Sequence, residues 1–315
     1  MWQSRKDFEV DFFRSYRISR LQRGKKIVPI GSTIIVREAK RHKEHVPKKV
    51  AAALSVLDDL NLDAIFWFQS LIALLLKRVD TDKSAFHRSI FAVLMRVTQD
   101  AMVIRNLICS GFDVQARNLL RSMEEHVDTI YYLCLKPEAS EEFVYADDDV
   151  KANQFWYAHI RGSRKVIDRI LSEMLKAKVE LAELQQFRLD ERKMLSTAHH
   201  PSYMAVTIPF FVPYERVNVT KFIFGFPSEF SYRTGMLLFY ILAELCLYLS
   251  FLNKDMKEII EYKGRDILQT VVRKGQNHLA IMLLHLVRNW RSPLFSRTAA
   301  MVKFLDGLRR DDTSA

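Results

Sequence analysis

Between Phe112 and Cys134 the apolar residues Phe112, Ala116, Leu119, Met123, Val127, Ile130 and Cys134 fall four and three apart. That spacing draws one continuous stripe along an α-helix and excludes a strand, whose side chains alternate with period two. Such a helix has to bury its stripe against a core. At about 100° per residue, Arg117, Arg121, Glu124, Glu125 and Asp128 collect on the other side, with Arg121 and Glu125 one turn apart. The expectation for that side is a solvated, salt-bridged face worth a few tenths of a kcal/mol per pair.

Most of the chain after Pro47 follows the same helical period. Residues 64–76 are nearly all apolar, and 85–109 carry a periodic pattern that Ser110-Gly111 stops. The next helix ends before Pro137, and residues 138–149 form an acidic connector. Residues 151–195 read as one long helix or two, weakened near Gly162. Further helices are expected over 234–253, 254–274, 278–290 and 296–309, with Gly275 as an interruption. With 315 residues, 49% hydrophobic content and only nine Gly and eight Pro, the chain can bury one large core, or one domain plus an appendage.

Two segments depart from this pattern. Residues 1–50 hold fourteen Lys or Arg against five Asp or Glu, which is +9 of the formal +11, so the basic character belongs to an N-terminal arm. The arm, residues 1–47, includes the β-like run IVPIGSTIIV and the charge run REAKRHKEH. It is suited to phosphates through counterion release, to anionic lipid, to an acidic partner, or simply to solubility. Residues 203–226, with TIPFFVPYERVNVTKFIFGF, are β-branched, aromatic and punctuated by proline, and read as a short hairpin or an ordered loop inserted in a helical domain over 48–315.

Cys109, Cys134 and Cys246 sit in apolar helical surroundings without a CxxC pair, as small buried hydrophobes of a reducing compartment do. Residues 1–23 lack the apolar core of a signal peptide, so the expected location is the cytoplasm. Residues 235–252 stand out as the one stretch approaching the length of a membrane span. Glu244 in its middle would cost about 2.5 to 3.5 kcal/mol on insertion, so a helix buried within a bundle is expected and a membrane partner is not.

The run SGFDVQARNLLRSMEEHVDTIYYL, residues 110–133, resembles a signature of uncharacterised bacterial helical proteins: a small-Gly turn, an Ala, then Leu-Leu-Arg-Ser and a Glu one turn later. Those proteins are associated with the HEPN (higher eukaryotes and prokaryotes nucleotide-binding) superfamily. MLSTAHHPSY, residues 194–203, is similar to that family's Leu-Ser followed by His-Pro-Ser. Together the two cover under a fifth of the chain. The resemblance implies a mainly α, HEPN-like helical bundle, here with a basic N-terminal arm and the β-like insertion, acting on RNA and assembled as a homodimer.

Many HEPN proteins are metal-independent ribonucleases with an Arg, four to six residues, then a His. Arg121 and His126 fit that pattern, with Ser122 in the polar place after the Arg. The chemistry needs neither metal nor cofactor: Arg neutralises developing phosphate charge while a near-neutral His moves a proton. Arg37 with His42, Arg192 with His199 and Arg273 with His278 share the spacing by composition alone.

Five residues also turn a helix through about 140°, which separates Arg121 from His126 on one straight helix. A two-fold seam between subunits would reunite them. His200, held by the following Pro201, and its neighbour His199 offer a second source of imidazole. In this reading Arg121 holds phosphate, His126 or His200 handles protons, Glu125 orients Arg121, and Arg117, Ser122 and His199 contribute to binding. The concrete form is a toxin or phage-defence endoribonuclease. The competing expectation is a module that binds RNA, nucleotide or protein without turnover.

Overall fold

A computed structural model of the chain describes residues 48–82, 84–174, 227, 229–263 and 266–289. Among them it places α1 (Lys48–Asp82), α2 (Ala85–Cys109), α3 (Asp113–Leu135), α4 (Ala139–Tyr145), α5 (Asp149–Phe155), a π-helical turn (Trp156–Ile160), α6 (Ser163–Met174), α7 (Glu229–Leu252), α8 (Lys254–Glu261) and α9 (Ile267–Asn289), with no strand among the described residues. The mainly α class expected from periodicity holds. The basic arm, the β-like segment 203–226 and the helix expected over 296–309 lie outside the described residues.

The chain reverses between α2 and α3 because Gly111 adopts φ 76°, a conformation that costs glycine nothing. The Gly111 N–H then reaches the Ile108 carbonyl at 3.0 Å and Phe112 N–H reaches Leu107 at 2.9 Å, which satisfies the last carbonyls of α2. The two helices form an antiparallel hairpin. α1 packs against α2, α7 and α9, and α7 touches α1, α2, α3, α8 and α9. α7 runs in the same sense as α3. Near its start Ser231 bonds Asp113 of α3, and just past its end Asn253 Nδ2 donates to the Cys134 carbonyl at 3.1 Å.

Almost every residue of α7 from Thr234 to Leu252 is buried, as an all-apolar helix requires in water. By length and composition α1 also contains a stretch apolar enough to cross a membrane, Leu54–Thr81. Among the described residues there are therefore two such segments, not the one read from the sequence, and the bundle buries 89% of the α7 stretch against 56% of the α1 stretch.

Two expectations change once the packing is seen. α3 is not open along its polar side: Arg117, Glu124 and Asp128 are buried, and only an edge that includes Arg121, Ser122 and Glu125 meets solvent. Its apolar stripe faces one set of neighbours while α6 and the start of α7 cover the other flank.

Gly275 does not break a helix. α8 ends at Glu261, and α9, which begins at Ile267, continues through the glycine. A Cβ at Gly275 would stand 2.7 Å from Trp67 Cδ1, and the fully buried Trp67 ring is pinned by its Nε1–H bond to the Val272 carbonyl at 2.7 Å. The glycine is a notch for that ring. Gly275→Ala should therefore destabilise the protein by roughly 1–3 kcal/mol through overpacking, although alanine is the better helix former by about 1 kcal/mol. Gly235→Ala is the control: its Cβ would meet the movable Leu57 Cδ2 at 2.8 Å, and denaturant melts should show a much smaller loss.

Candidate functional site

Arg121 is one-quarter exposed and held on its own helix, Nη1 donating to Glu124 Oε2 at 3.1 Å and Nη2 lying 3.3 Å from Glu125 Oε1. His126 presents Nδ1 to Asp100 Oδ2 of α2 at 3.5 Å, and Arg96 Nε donates to the same oxygen at 3.0 Å. About one-third of the His126 side chain is exposed. Burial lowers its pKa from the ordinary value; Asp100 opposes this and Arg96 adds to it. The imidazole is consequently neutral around pH 7, the form that can accept a proton. Among the described residues no hydrogen bond joins Arg121 to His126.

The other residues singled out from the sequence divide between this edge, the bundle interior and positions outside the described residues. Ser122 is exposed on the edge. Arg117 lies inside the bundle, Nε donating to Thr234 Oγ1 at 3.2 Å. One turn earlier Asp113 accepts the Ser231 hydroxyl at 2.8 Å, and burial raises its pKa to about 7. His199 and His200 lie outside the described residues, so their distance to Arg121 does not enter the geometry.

A second constellation was not foreseen. Arg164 of α6, fully buried, pairs with Asp128 of α3, with Asp168 one turn ahead at 3.2 Å, and faces Glu244 of α7 at 3.7 Å. The guanidinium lies 5.3 Å from the Tyr131 ring centroid, and Tyr240 Oη donates to Glu244 Oε1 at 2.9 Å. Burial works against the charge on Arg164, but Asp128, Glu244 and Asp168 outweigh it and raise its pKa. Burial also raises Asp168 to about 6 and lifts Glu244 well above the usual carboxylate range, Arg164 only partly offsetting it. One cation thus faces three carboxyl groups. The sequence did carry a cue: a lone Glu in an apolar helix needs a buried partner, and Arg164 with Asp168 at i,i+4 is such a pair.

A third cluster fixes the π turn. Tyr132 Oη is 2.8 Å from His159 Nδ1, and His159 Nε2 is 2.9 Å from Glu142 Oε2. The imidazole thus bridges the Tyr132 hydroxyl and the Glu142 carboxylate through its two ring nitrogens. Phe155 flanks the imidazole at 4.8 Å between ring centroids. A cavity of about 330 Å³ opens elsewhere, between the end of α1 and the α8–α9 junction, beside Lys77, Arg78 and Tyr262; none of the residues singled out from the sequence lines it.

Comparison with known proteins adds no relative: no family model, no curated protein and no solved structure matches the chain. Function has to be read from the chemistry of these three clusters.

Proposed function

We propose that this chain is an RNA-acting protein of HEPN-like architecture, and that the α2–α3 edge is the centre of a metal-independent endoribonuclease of toxin or phage-defence type. One observation carries the reading: α3 bears a partly exposed His126, its pKa lowered by burial and its Nδ1 turned to Asp100, and about 140° around the same helix Arg121, whose guanidinium two glutamates hold in place. His126 Nε2 takes the 2′-hydroxyl proton as that oxygen attacks the phosphorus, the P–O5′ bond breaks, and solvent protonates the departing 5′-oxygen, leaving a 2′,3′-cyclic phosphate. Arg121 faces the phosphate as charge builds on its oxygens, and Glu124 and Glu125 orient the guanidinium. A homodimer seam across this edge supplies the second member of each Arg–His pair, and the basic arm supplies non-specific affinity.

The test is incubation of purified protein with total RNA in EDTA, beside Arg121→Ala and His126→Ala. Equal cleavage by all three removes this edge from consideration. Absence of cleavage by the unaltered protein leaves binding alone.

A second reading has its own observation. Arg121 is engaged on two nitrogens by carboxylates, and Asp100 holds both Arg96 and His126, so the edge is close to charge-balanced, as suits a docking surface for RNA, nucleotide or protein without turnover. Binding that weakens steeply with salt identifies nucleic acid, because each phosphate contact releases counterions. Salt-insensitive association with a protein identifies docking.

A further inference from the structure

The π turn accommodates one residue more than an α-helical turn. Phe155 and Ile160, five positions apart, are both buried there, and the widened turn leaves Trp156 and Tyr157 outside. Their rings meet edge to face at 5.0 Å between centroids, 36% and 59% exposed. Two large rings side by side at the surface offer faces on which planar groups can stack.

What stands beside them identifies those groups. Arg161 places its guanidinium 5.3 Å from the Tyr157 ring centroid. After the reversal at Gly162, Lys165 and Arg169 follow one turn apart on the outer side of α6, whose inner side carries Ser163, Arg164, Ile167 and Asp168. Arg161, Lys165 and Arg169 are all exposed, and among the described residues none is paired with a carboxylate. On the other flank, toward the start of α5, Lys151 is bonded to Asp147 at 2.6 Å and lies 3.5 Å from Asp148. Lys165 and Arg169 therefore line the outer side of α6 up to the exposed Glu173 one turn further on, and acids bound the rings on the α5 side.

We infer that Trp156 and Tyr157, with Arg161, Lys165 and Arg169, form a platform for single-stranded RNA. Bases stack on the two rings and on the Arg161 guanidinium, and the phosphates track the cations of α6. A duplex keeps its base faces covered and cannot use exposed rings this way, whereas a single strand presents them. The platform rests on the RNA reading above and makes the substrate single-stranded. Tyr132, bonded to the π turn through His159, lies six residues beyond His126, about 9 Å along α3. A strand on the platform thus lies toward the C-terminal end of the helix that carries His126.

The experiment uses the full chain and a short fluorescent oligouridine, followed by anisotropy across a salt series, with an RNA duplex and phosphatidylserine vesicles as separate arms. Trp156→Ala with Tyr157→Ala should weaken single-strand binding at least about tenfold, one stacked base being worth roughly that factor or more. Trp156→Phe with Tyr157→Phe should keep it, which separates stacking from damage to the fold. Replacing Arg161, Lys165 and Arg169 by alanine should flatten the salt slope by about two, near 0.7 for each phosphate no longer neutralised. Binding of oligouridine by the alanine double variant as tight as by the unaltered protein overturns the platform and leaves the RNA reading standing. Failure of the unaltered protein to bind either RNA removes both. Ring-dependent binding to vesicles with RNA binding unchanged overturns it in favour of a lipid surface.

Discussion

Replacing Arg164 by methionine is expected to destabilise the protein by roughly 3–5 kcal/mol, the usual cost of removing one member of a buried ion cluster. Methionine fills much of the space but leaves Asp128, Asp168 and Glu244 facing one another without a cation, each among residues that exclude water. The loss belongs to the stranded carboxyl groups more than to the vanished guanidinium. Asp168→Asn and Glu244→Gln, added to the methionine variant, should accordingly restore part of it, and denaturant melts at one pH measure both effects.

The same cluster gives stability a direction with pH. Asp168 titrates at about 6 in the folded protein and Asp113 at about 7, with Glu244 also raised, against about 3.9 for an aspartate in an unfolded chain. A carboxyl group whose folded pKa lies above its unfolded pKa lends stability that is complete below the unfolded value. That contribution drains away as pH rises through the folded one. Stability should thus fall between about pH 4 and pH 7, by a term on the order of 3 kcal/mol for Asp168 alone. Asp168→Asn should flatten its part of the slope. A stability that rises steadily over this range would contradict the burial assigned to these groups.

The largest effect on activity is expected at His126. If its imidazole moves the 2′-hydroxyl proton, His126→Ala lowers the cleavage rate about 10²- to 10⁴-fold, the ordinary contribution of a positioned general base. Because burial lowers the pKa of this histidine, the wild-type rate should climb with pH only on the acid side of the usual histidine range. It should then level off before neutrality. Asp100→Asn removes the charge that favours the protonated ring, so it should move the climb to lower pH still, a shift that general loss of fold does not produce. Arg121→Ala should lower the rate without moving the climb, since in this scheme no proton passes to or from the guanidinium. Comparable rates for wild type and His126→Ala would sink the general-base role.

Where the chain is governed by local spacing, its sequence was readable. Residues 85–109 fold as the helix their period and the Ser110-Gly111 stop dictate, and Gly162, at φ 84°, marks the break before α6. Gly275 misled because a glycine within a helix has two causes, a break or a close neighbour, and the neighbour, Trp67, is over two hundred positions away. The polar side of α3 misled for a related reason. Arg117 and Asp128 look like a solvated row until α7 and α6 supply Thr234 and Arg164 as partners. The Arg121–His126 spacing singled out two residues of α3, but the groups beside His126, Asp100 and Arg96, come from α2 and carry no sequence signal linking them to it. Trp156 and Tyr157 were legible as aromatics and not as exposed ones, because the extra residue of the π turn decides which way they face.

The ion cluster also bears on how long the native state lasts. Arg164 and Glu244 are far apart in the chain, while the α2–α3 hairpin closes across three residues, 110–112. Local hairpins form early, and contacts across long loops carry the larger closure cost. Energy stored in late contacts leaves the rate of folding almost untouched and slows its reversal. Arg164 therefore acts as a brake on unfolding: it lengthens the lifetime of the assembled bundle more than it hastens assembly.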